Sequence, residues 1–451
     1  MRAHAWLFLF AGWLALAAGL APVHAAAGDV PLPRVFLLDA ASLAATRVDS
    51  LAGSAALAPA LAQLRSAADK LLTSPLVSVV DKQTLPPSGD RRDYTSLSIY
   101  WWPNPDTPDG LPYVNRDGRR NPQANDTNLY DDVTYSRMVR AVDTLSLAYY
   151  ISDNPRYAQQ AARQLRTWFL EPTIRMNPNM RFAEIIPGRP AERGIGIIQS
   201  RELMRIVDDV GLLAGASDWT PADQAALQAW FAEFVTWLRE SHQGQMESHE
   251  PNNHSTWYDA QVADFALFTG QDALAAEVLA TVSQTRIAAQ IEPDGSQPQE
   301  LKRPTSFHYS AFNLLALVEL ATLGTQVGMD VWGYHTDDGR SIRGALDFMM
   351  PATTNSAPWP AQEIAAIDPA REMGPVLAHA ALGYPDGPYG QALDELVAGQ
   401  SSLAALELRL GAWALPEGLA VSLRDRDQTV SYVASEIPIR PTWPLPAFHS
   451  A

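Results

Sequence analysis

Cysteine is absent from this 451-residue sequence, which excludes disulfide bonds, thiol catalysis and zinc–thiolate sites together. Basic residues are also scarce, because 33 Lys and Arg stand against 50 Asp and Glu, a formal charge of −17. This balance argues against nucleic-acid binding, which usually needs a broad basic surface. An acidic polymer could be bound only if a local basic groove overcame the overall repulsion.

An apolar run from Trp6 to Leu20 follows the basic Arg2 at the start of the chain. The run is short for a bilayer span, which needs about 20 residues. Val23-His24-Ala25 then places small residues where a signal peptidase cleaves. The sequence therefore predicts a signal peptide over residues 1–25, export to the periplasm or the medium, and no membrane association after cleavage.

Aromatic residues are plentiful, with 13 Trp, 14 Tyr and 13 Phe, and their flat faces suit sugar stacking as well as core packing. Several lie in residues 91–128, a stretch crowded with Pro, Gly, Asn and Asp. That composition predicts turns and irregular loop rather than helix or strand. A loop of this length with such aromatics is expected to be ordered and functional.

From Asp131 onward, apolar residues recur at intervals of three and four, which indicates amphipathic helices. Strand-like alternation is scarce before residues 428–440. We predict one all-α domain over residues 26–451, built of paired helices as a bundle or an α/α toroid and acting as a monomer. The helices expected from this pattern include 57–72, a helix opening at Thr220-Pro221, 256–269, 272–290, 308–327 and 341–350.

Asn253 and His254 lie in the segment Asn252–Asp259, just before an apolar-periodic helix. At a helix N-terminus both side chains could present hydrogen-bond donors to an anion, helped by the helix dipole. The alternative is that an Asn caps the helix while His254 only packs. The histidine spacings of seven and five along His242, His249 and His254 match no compact metal motif, so neither a metal nor another cofactor is expected.

A second group, Arg303, His308 and Tyr309, lies on a loop that leads into a helix. Removing a proton next to a carboxylate requires positive charge and hydrogen-bond donors around that carboxylate. A tyrosine whose pKa is depressed by a neighbouring arginine could then exchange protons. Together with Asn253 and His254, these residues suit β-elimination from a uronic acid without a metal.

The chain resembles the alginate lyase superfamily of polysaccharide lyases over roughly residues 90–355. The resemblance is carried by Tyr100-Trp101-Trp102-Pro103 with Asp109–Tyr113, by Asn252-Asn253-His254, and by Glu300 through Tyr309. It implies an incomplete α/α toroid, with a few short strands possible near the C-terminus, and a cleft for an acidic polysaccharide. It also implies that Asn253 and His254 neutralise the uronate carboxylate, that Tyr309 is the acid and base, and that Arg303 supports it.

Further side chains are expected to bind the substrate. The aromatic ones are Tyr100, Trp101 and Trp102, and the polar ones are His308 and Gln297. Distal carboxylates could be held by Arg116, Arg119 and Arg120, for which a solvated surface position is equally open. A Gly- and Pro-rich turn precedes three further arginines that could also face the cleft: Arg189, Arg193 and Arg201.

The predicted function is cleavage of a polyuronate by β-elimination, with alginate that contains mannuronate as the first choice. A glucuronan lyase of the same fold is the alternative. The Trp-Trp-Pro loop and residues 294–298 look less like the mannuronate-specific periplasmic lyases than like a broader related branch, which leaves the choice among the polyuronates open. From other classes, a glycoside hydrolase would need two facing carboxylates, with Asp259, Asp294 and Glu300 as candidates. A non-catalytic polysaccharide-binding protein would use the aromatics alone.

Overall fold

Helices make up most of residues 31–191 and 193–411, which are the residues that this computed structural model describes. The predicted signal peptide and the predicted strands at 428–440 lie outside these residues and stay predictions. The longer helices are α1 (Ala40–Leu51), α2 (Ala58–Leu71), α3 (Asp132–Ser152), α4 (Pro155–Leu165), α5 (Leu203–Leu212), α6 (Pro221–Glu240), α8 (Asn253–Phe268), α9 (Asp272–Val282), α12 (Ser306–Gln326), α13 (Ile342–Thr353), α14 (Pro369–Gly383), α15 (Tyr389–Val397) and α16 (Ser402–Arg409). The short helices are α7 (His242–Ser248), α10 (Ala288–Gln290) and α11 (Pro298–Leu301).

The helix starts follow local capping rules. At the start of α6, Thr220 and Asp223 form a reciprocal capping box, and Pro221 is the first residue of the helix. Asn252 caps α8, because its side-chain oxygen accepts a hydrogen bond from the backbone N–H of His254. The helix predicted at 308–327 is α12, which begins two residues earlier.

Two layers of helices build the domain. In the inner layer α3 contacts α5, α5 contacts α8, α8 contacts α12, and α12 contacts α14. In the outer layer α4 packs on α3, α6 and α9 pack on α8, and α15 packs on α14, while α16 contacts both α2 and α14. This arrangement confirms the predicted α/α toroid. Every residue of α8 except His254 is buried, so His254 is the side chain of this inner helix that is most open to solvent.

Short strands occur where the composition predicted none. Strand β1 (Thr95–Leu97) pairs in parallel with β4 (Phe182–Ile185), and β2 (Trp101–Trp102) pairs in antiparallel fashion with β3 (Val114–Asn115). The expectation of an irregular stretch without strand over residues 91–128 was therefore wrong. Trp and Val favour extended backbone, and the Pro- and Gly-rich residues between them form the connection of a hairpin.

The helix predicted over 272–290 contains an irregular turn. Residues Ser283–Ile287 form a π-helical turn between α9 and α10, in which hydrogen bonds span five residues instead of four. A second π-helical turn, Arg166–Leu170, extends α4. Within residues 31–191 and 193–411, no helix combines the length and apolar character that a membrane crossing needs.

Candidate active site

The first residue of α8, Asn253, is held by a buried carboxylate. Glu300, on α11, accepts hydrogen bonds from the backbone N–H and from the Nδ2 of Asn253, both at 2.8 Å. Because the carboxylate only accepts, these bonds fix which way the amide points. The Oδ1 of Asn253 is left buried with no hydrogen-bond partner among the described residues.

His254 is paired with Glu247 from α7. Its Nδ1 lies 2.7 Å from the Oε1 of Glu247, whose side chain is completely buried. Burial alone would lower the pKa of His254, but the charge and hydrogen bond of Glu247, with Glu184 and Glu250 nearby, raise the pKa above its ordinary value. The imidazolium form of His254 is thereby favoured.

Arg303 lies between a carboxylate and a tyrosine ring. Its Nε and Nη2 donate to both oxygens of Asp117 at 2.9 and 2.7 Å, which is a bidentate ion pair. The guanidinium carbon lies 3.6 Å from the ring centroid of Tyr309, in cation–π contact. The segment after β3 that carries Asp117 is thus tied to the segment before α12.

Tyr309 is buried, and its hydroxyl donates to the hydroxyl of Tyr100 at 3.0 Å. The expectation that the pKa of Tyr309 is depressed was wrong, although Arg303 itself acts in the lowering direction. Burial and the neighbouring Tyr100 raise the pKa well above its ordinary range, and Arg303 opposes that rise without reversing it. The reason is geometric, because Arg303 faces the ring and shares its charge with Asp117.

The two tryptophans of the hairpin each meet arginines. Arg189 and Arg193 lie 4.7 and 5.9 Å from the ring centroid of Trp101. Arg116 lies 5.3 Å from that of Trp102, whose indole N–H donates to a backbone carbonyl. Both tryptophans are half-buried. This segment therefore presents flat aromatic faces next to positive charge.

The two remaining candidates for substrate binding differ in accessibility. The Nδ1 of His308 lies 2.7 Å from the Oε2 of Glu372, and its side chain is 40% exposed. Gln297 is buried, and its amide is used internally: it donates to the carbonyl of Ser310 and accepts from Asn313. Gln297 thus supports the turn into α12 with both ends of its amide, and its role in substrate binding stays a prediction.

These residues form two groups that adjoin each other. The carboxylate of Glu300 holds Asn253, and its backbone carbonyl accepts the backbone N–H of Arg303, three residues later, at 3.0 Å. Arg193 connects Trp101 to the same region, because its guanidinium lies near the ring of Trp101 and donates to the backbone carbonyl of Glu184. The carboxylate of Glu184 is in turn close enough to raise the pKa of His254.

Sequence reasoning assigned no role here to Glu247, Asp117 or Glu184. Glu184 has a left-handed backbone conformation, with φ of 52°, which is uncommon outside glycine and often marks functional sites. No local pattern pairs these three acids with their partners, since the pairs join separate segments of the chain.

Comparison with known proteins identifies the fold and the class of enzyme. Residues 78–359 match the family described as Alginate lyase. The crystal structure of an alginate lyase from Bacteroides ovatus is 34% identical, with a TM-score of 0.80, over 84% of this chain and 100% of that one. The family match and this structural likeness identify the protein as a polysaccharide lyase.

A more distant structure has the same fold. A histidine-to-alanine variant of alginate lyase A1-III in complex with a tetrasaccharide is 17% identical, with a TM-score of 0.54, over 85% of this chain and 97% of that one. No protein of curated function matches the chain. Since the family match spans more than half of the sequence, the chain belongs to the alginate lyase family.

Proposed function

We propose that this protein cleaves an alginate-type polyuronate by β-elimination and leaves an unsaturated uronate at the new chain end. One observation carries the proposal: the carboxylate of Glu300 holds Asn253, while the backbone carbonyl of Glu300 accepts the N–H of Arg303. The residues that could neutralise a carboxylate therefore adjoin those that could transfer a proton. The names of the similar structures, alginate lyases of which one is bound to a tetrasaccharide, support the substrate class.

Carboxylate neutralisation is the first requirement of the reaction. Loss of the proton from the carbon next to the carboxylate places negative charge on that group, and fixed donors lower the barrier to this step. The Nδ2 of Asn253 keeps one hydrogen beyond the bond to Glu300, and His254 is biased towards its charged form. These two residues are proposed to bind the uronate carboxylate.

Proton transfer is the second requirement. As the proton leaves carbon, the electron pair forms a carbon–carbon double bond, the glycosidic carbon–oxygen bond breaks, and the leaving oxygen takes up a proton. The raised pKa of Tyr309 keeps its hydroxyl protonated, which suits donation to that oxygen. To act as base, the side chain must first lose that proton. The tyrosinate, which Arg303 against the ring stabilises, then takes the proton from carbon, and the hydroxyl so formed gives it to the leaving oxygen.

The candidate carboxylates of a hydrolase are in unsuitable surroundings. Asp259 is paired with Arg286 at 2.8 Å, and both oxygens of Glu300 are bonded to Asn253. Asp294 is exposed and accepts the backbone N–H of Ser296. Two carboxyl groups facing a shared sugar, as hydrolysis requires, are not found among these three.

The chemistry can be tested by ultraviolet absorbance. We expect the purified protein, incubated in EDTA with polymannuronate, polyguluronate and glucuronan in turn, to give an absorbing unsaturated product with at least one polymer. Strongest activity on glucuronan would replace the alginate assignment with the glucuronan alternative. New reducing ends without absorbance would indicate hydrolysis, and binding without any product would indicate a non-catalytic role. Either of these results would refute the proposed reaction.

Salt should weaken capture of the polymer more than turnover. The protein carries a formal charge of −17, so attraction of a polyanion depends on local arginines such as Arg189, which is exposed beside Trp101. We expect kcat/KM to fall several-fold between about 0.05 and 0.5 M salt, while kcat changes little.

Arg189→Gln should flatten the salt dependence of kcat/KM. The matched control is Arg65→Gln on α2, which removes an exposed arginine from a helix that contributes nothing to the site, and it should leave the dependence intact. Equal slopes for the wild type and both variants would contradict the assignment of Arg189 to substrate capture.

A further inference from the structure

The carboxylate of Glu247 lies against the imidazole ring of His254 in the interior of the protein. The glutamate is completely buried, and one oxygen lies 2.7 Å from the Nδ1 of the histidine. Its other oxygen, Oε2, is buried and has no hydrogen-bond partner among the described residues. Little solvent screens the pair, so the interaction is stronger than it would be at the surface.

The backbone around α7 brings Glu247 to this position. A Cβ atom at Gly244 would lie 1.7 Å from the carbonyl oxygen of Leu238, and one at Gly194 would lie 2.9 Å from the backbone nitrogen of Glu247. Two close approaches that only glycine permits therefore fix α7 against its neighbours. The glutamate is held in place by the fold, independently of any substrate.

Other charged groups around His254 come from several elements. Glu184 is on β4, Glu250 follows α7, and Glu300 is on α11, while Arg193 is the nearby positive group and interacts with Glu184 and Glu247. Burial raises the pKa of Glu247, and His254 opposes this rise. The surroundings of the ring are thus predominantly acidic, and Glu247 is the carboxylate bonded to its Nδ1.

We propose that Glu247 is a positioning residue that holds His254 as an imidazolium, with Nδ1–H bonded to the carboxylate and Nε2–H directed to the uronate. This inference rests on the proposed function, since it explains how His254 neutralises a substrate carboxylate. The glutamate does not touch the substrate. It orients the ring and stabilises its positive charge.

The wild-type protein provides the first test. NMR titration of His254 in the free enzyme should give a pKa above the ordinary value of about 6.5. Because the charged ring is the active form, kcat/KM should fall as pH rises through that same value. A wild-type His254 that titrates at or below about 6.5 would overturn the proposal without any variant.

Glu247→Gln keeps a hydrogen-bond acceptor for Nδ1–H but removes the charge. We expect the pKa of His254, and the high-pH limb of kcat/KM, to move down together by about one unit or more. In Glu247→Asp the pKa of His254 should return most of the way to its wild-type value, with a partial loss of rate, since the negative charge is present again but lies farther from the ring. Glu250→Gln is the matched control, because Glu250 makes no hydrogen bond to the ring of His254. It should lower the pKa of His254 by a clearly smaller amount.

The possible outcomes separate this inference from the proposed function. An unchanged His254 pKa in folded Glu247→Gln, or equal shifts in Glu247→Gln and Glu250→Gln, would refute the role of Glu247. If Glu247→Gln does not fold, the wild-type titration and Glu247→Asp decide the question. A protein that cleaves no polyuronate would refute the proposed function, while the NMR titration would still support or overturn the pairing.

Discussion

Tyr309→Phe is expected to lower kcat by at least about 10²-fold, the lower end of the contribution of general acid–base catalysis. The substitution keeps the ring against Arg303 but removes the hydroxyl that donates to Tyr100. The melting temperature should change little, since one hydrogen bond contributes only about 1 kcal/mol. Initial rate and melting temperature measured on one preparation separate the loss of chemistry from a loss of folded protein.

Tyr384→Phe is the matched control for this experiment. Tyr384 is also buried, and its hydroxyl donates to the carbonyl of Trp332 at 2.7 Å, outside the site. The control should lose a similar amount of stability and retain its turnover. Near-normal turnover of Tyr309→Phe on the best polyuronate would end the proposed mechanism.

His254→Ala is expected to lower kcat by about 10²–10³-fold, by analogy with the removal of one donor from an oxyanion hole. The substrate carboxylate would lose the positive charge that Glu247 stabilises. Stability should also fall, because Glu247 is then buried without its partner. The rate must therefore be expressed per folded molecule, determined by circular dichroism of each preparation.

His249→Ala is the matched control for the histidine. His249 is exposed, and its ring nitrogen contacts Ser248 and the carbonyl of Gln245, both on the adjoining helix α7. Its loss should leave kcat and KM unchanged. If His254→Ala and His249→Ala had the same mild effect, His254 would have no role in neutralising the carboxylate.

The helices could be predicted from the sequence because their signals are local. Apolar periodicity and capping residues such as Thr220 and Asn252 act within a few positions of the helix start. The short strands were missed because β1 and β4 are distant in sequence and contain only three and four residues. Pairing between such segments depends on tertiary packing rather than on local propensity.

Only the residues of the candidate site that lie in short sequence motifs could be predicted. The four principal residues could be proposed because Asn253-His254 and Arg303 to Tyr309 form compact motifs. Their partners come from elsewhere: Asp117 precedes Arg303 by 186 positions. The pKa of Tyr309 was predicted in the wrong direction because burial and the distant Tyr100 raise it more than Arg303 lowers it, and neither effect is visible in the motif.

The π-helical turn at Ser283–Ile287 makes the start of α8 sensitive to chain length. After this turn, Gln290 donates to the carbonyl of Asn252 and the hydroxyl of Ser255 and accepts from Thr256. A π-turn contains one residue more than the α-turn it replaces. Deleting one residue there would restore a regular helix and rotate Gln290 by about 100°, away from the segment that carries Asn253 and His254. Homologous lyases that keep this contact should therefore conserve the number of residues between α9 and Gln290 more strictly than their identity.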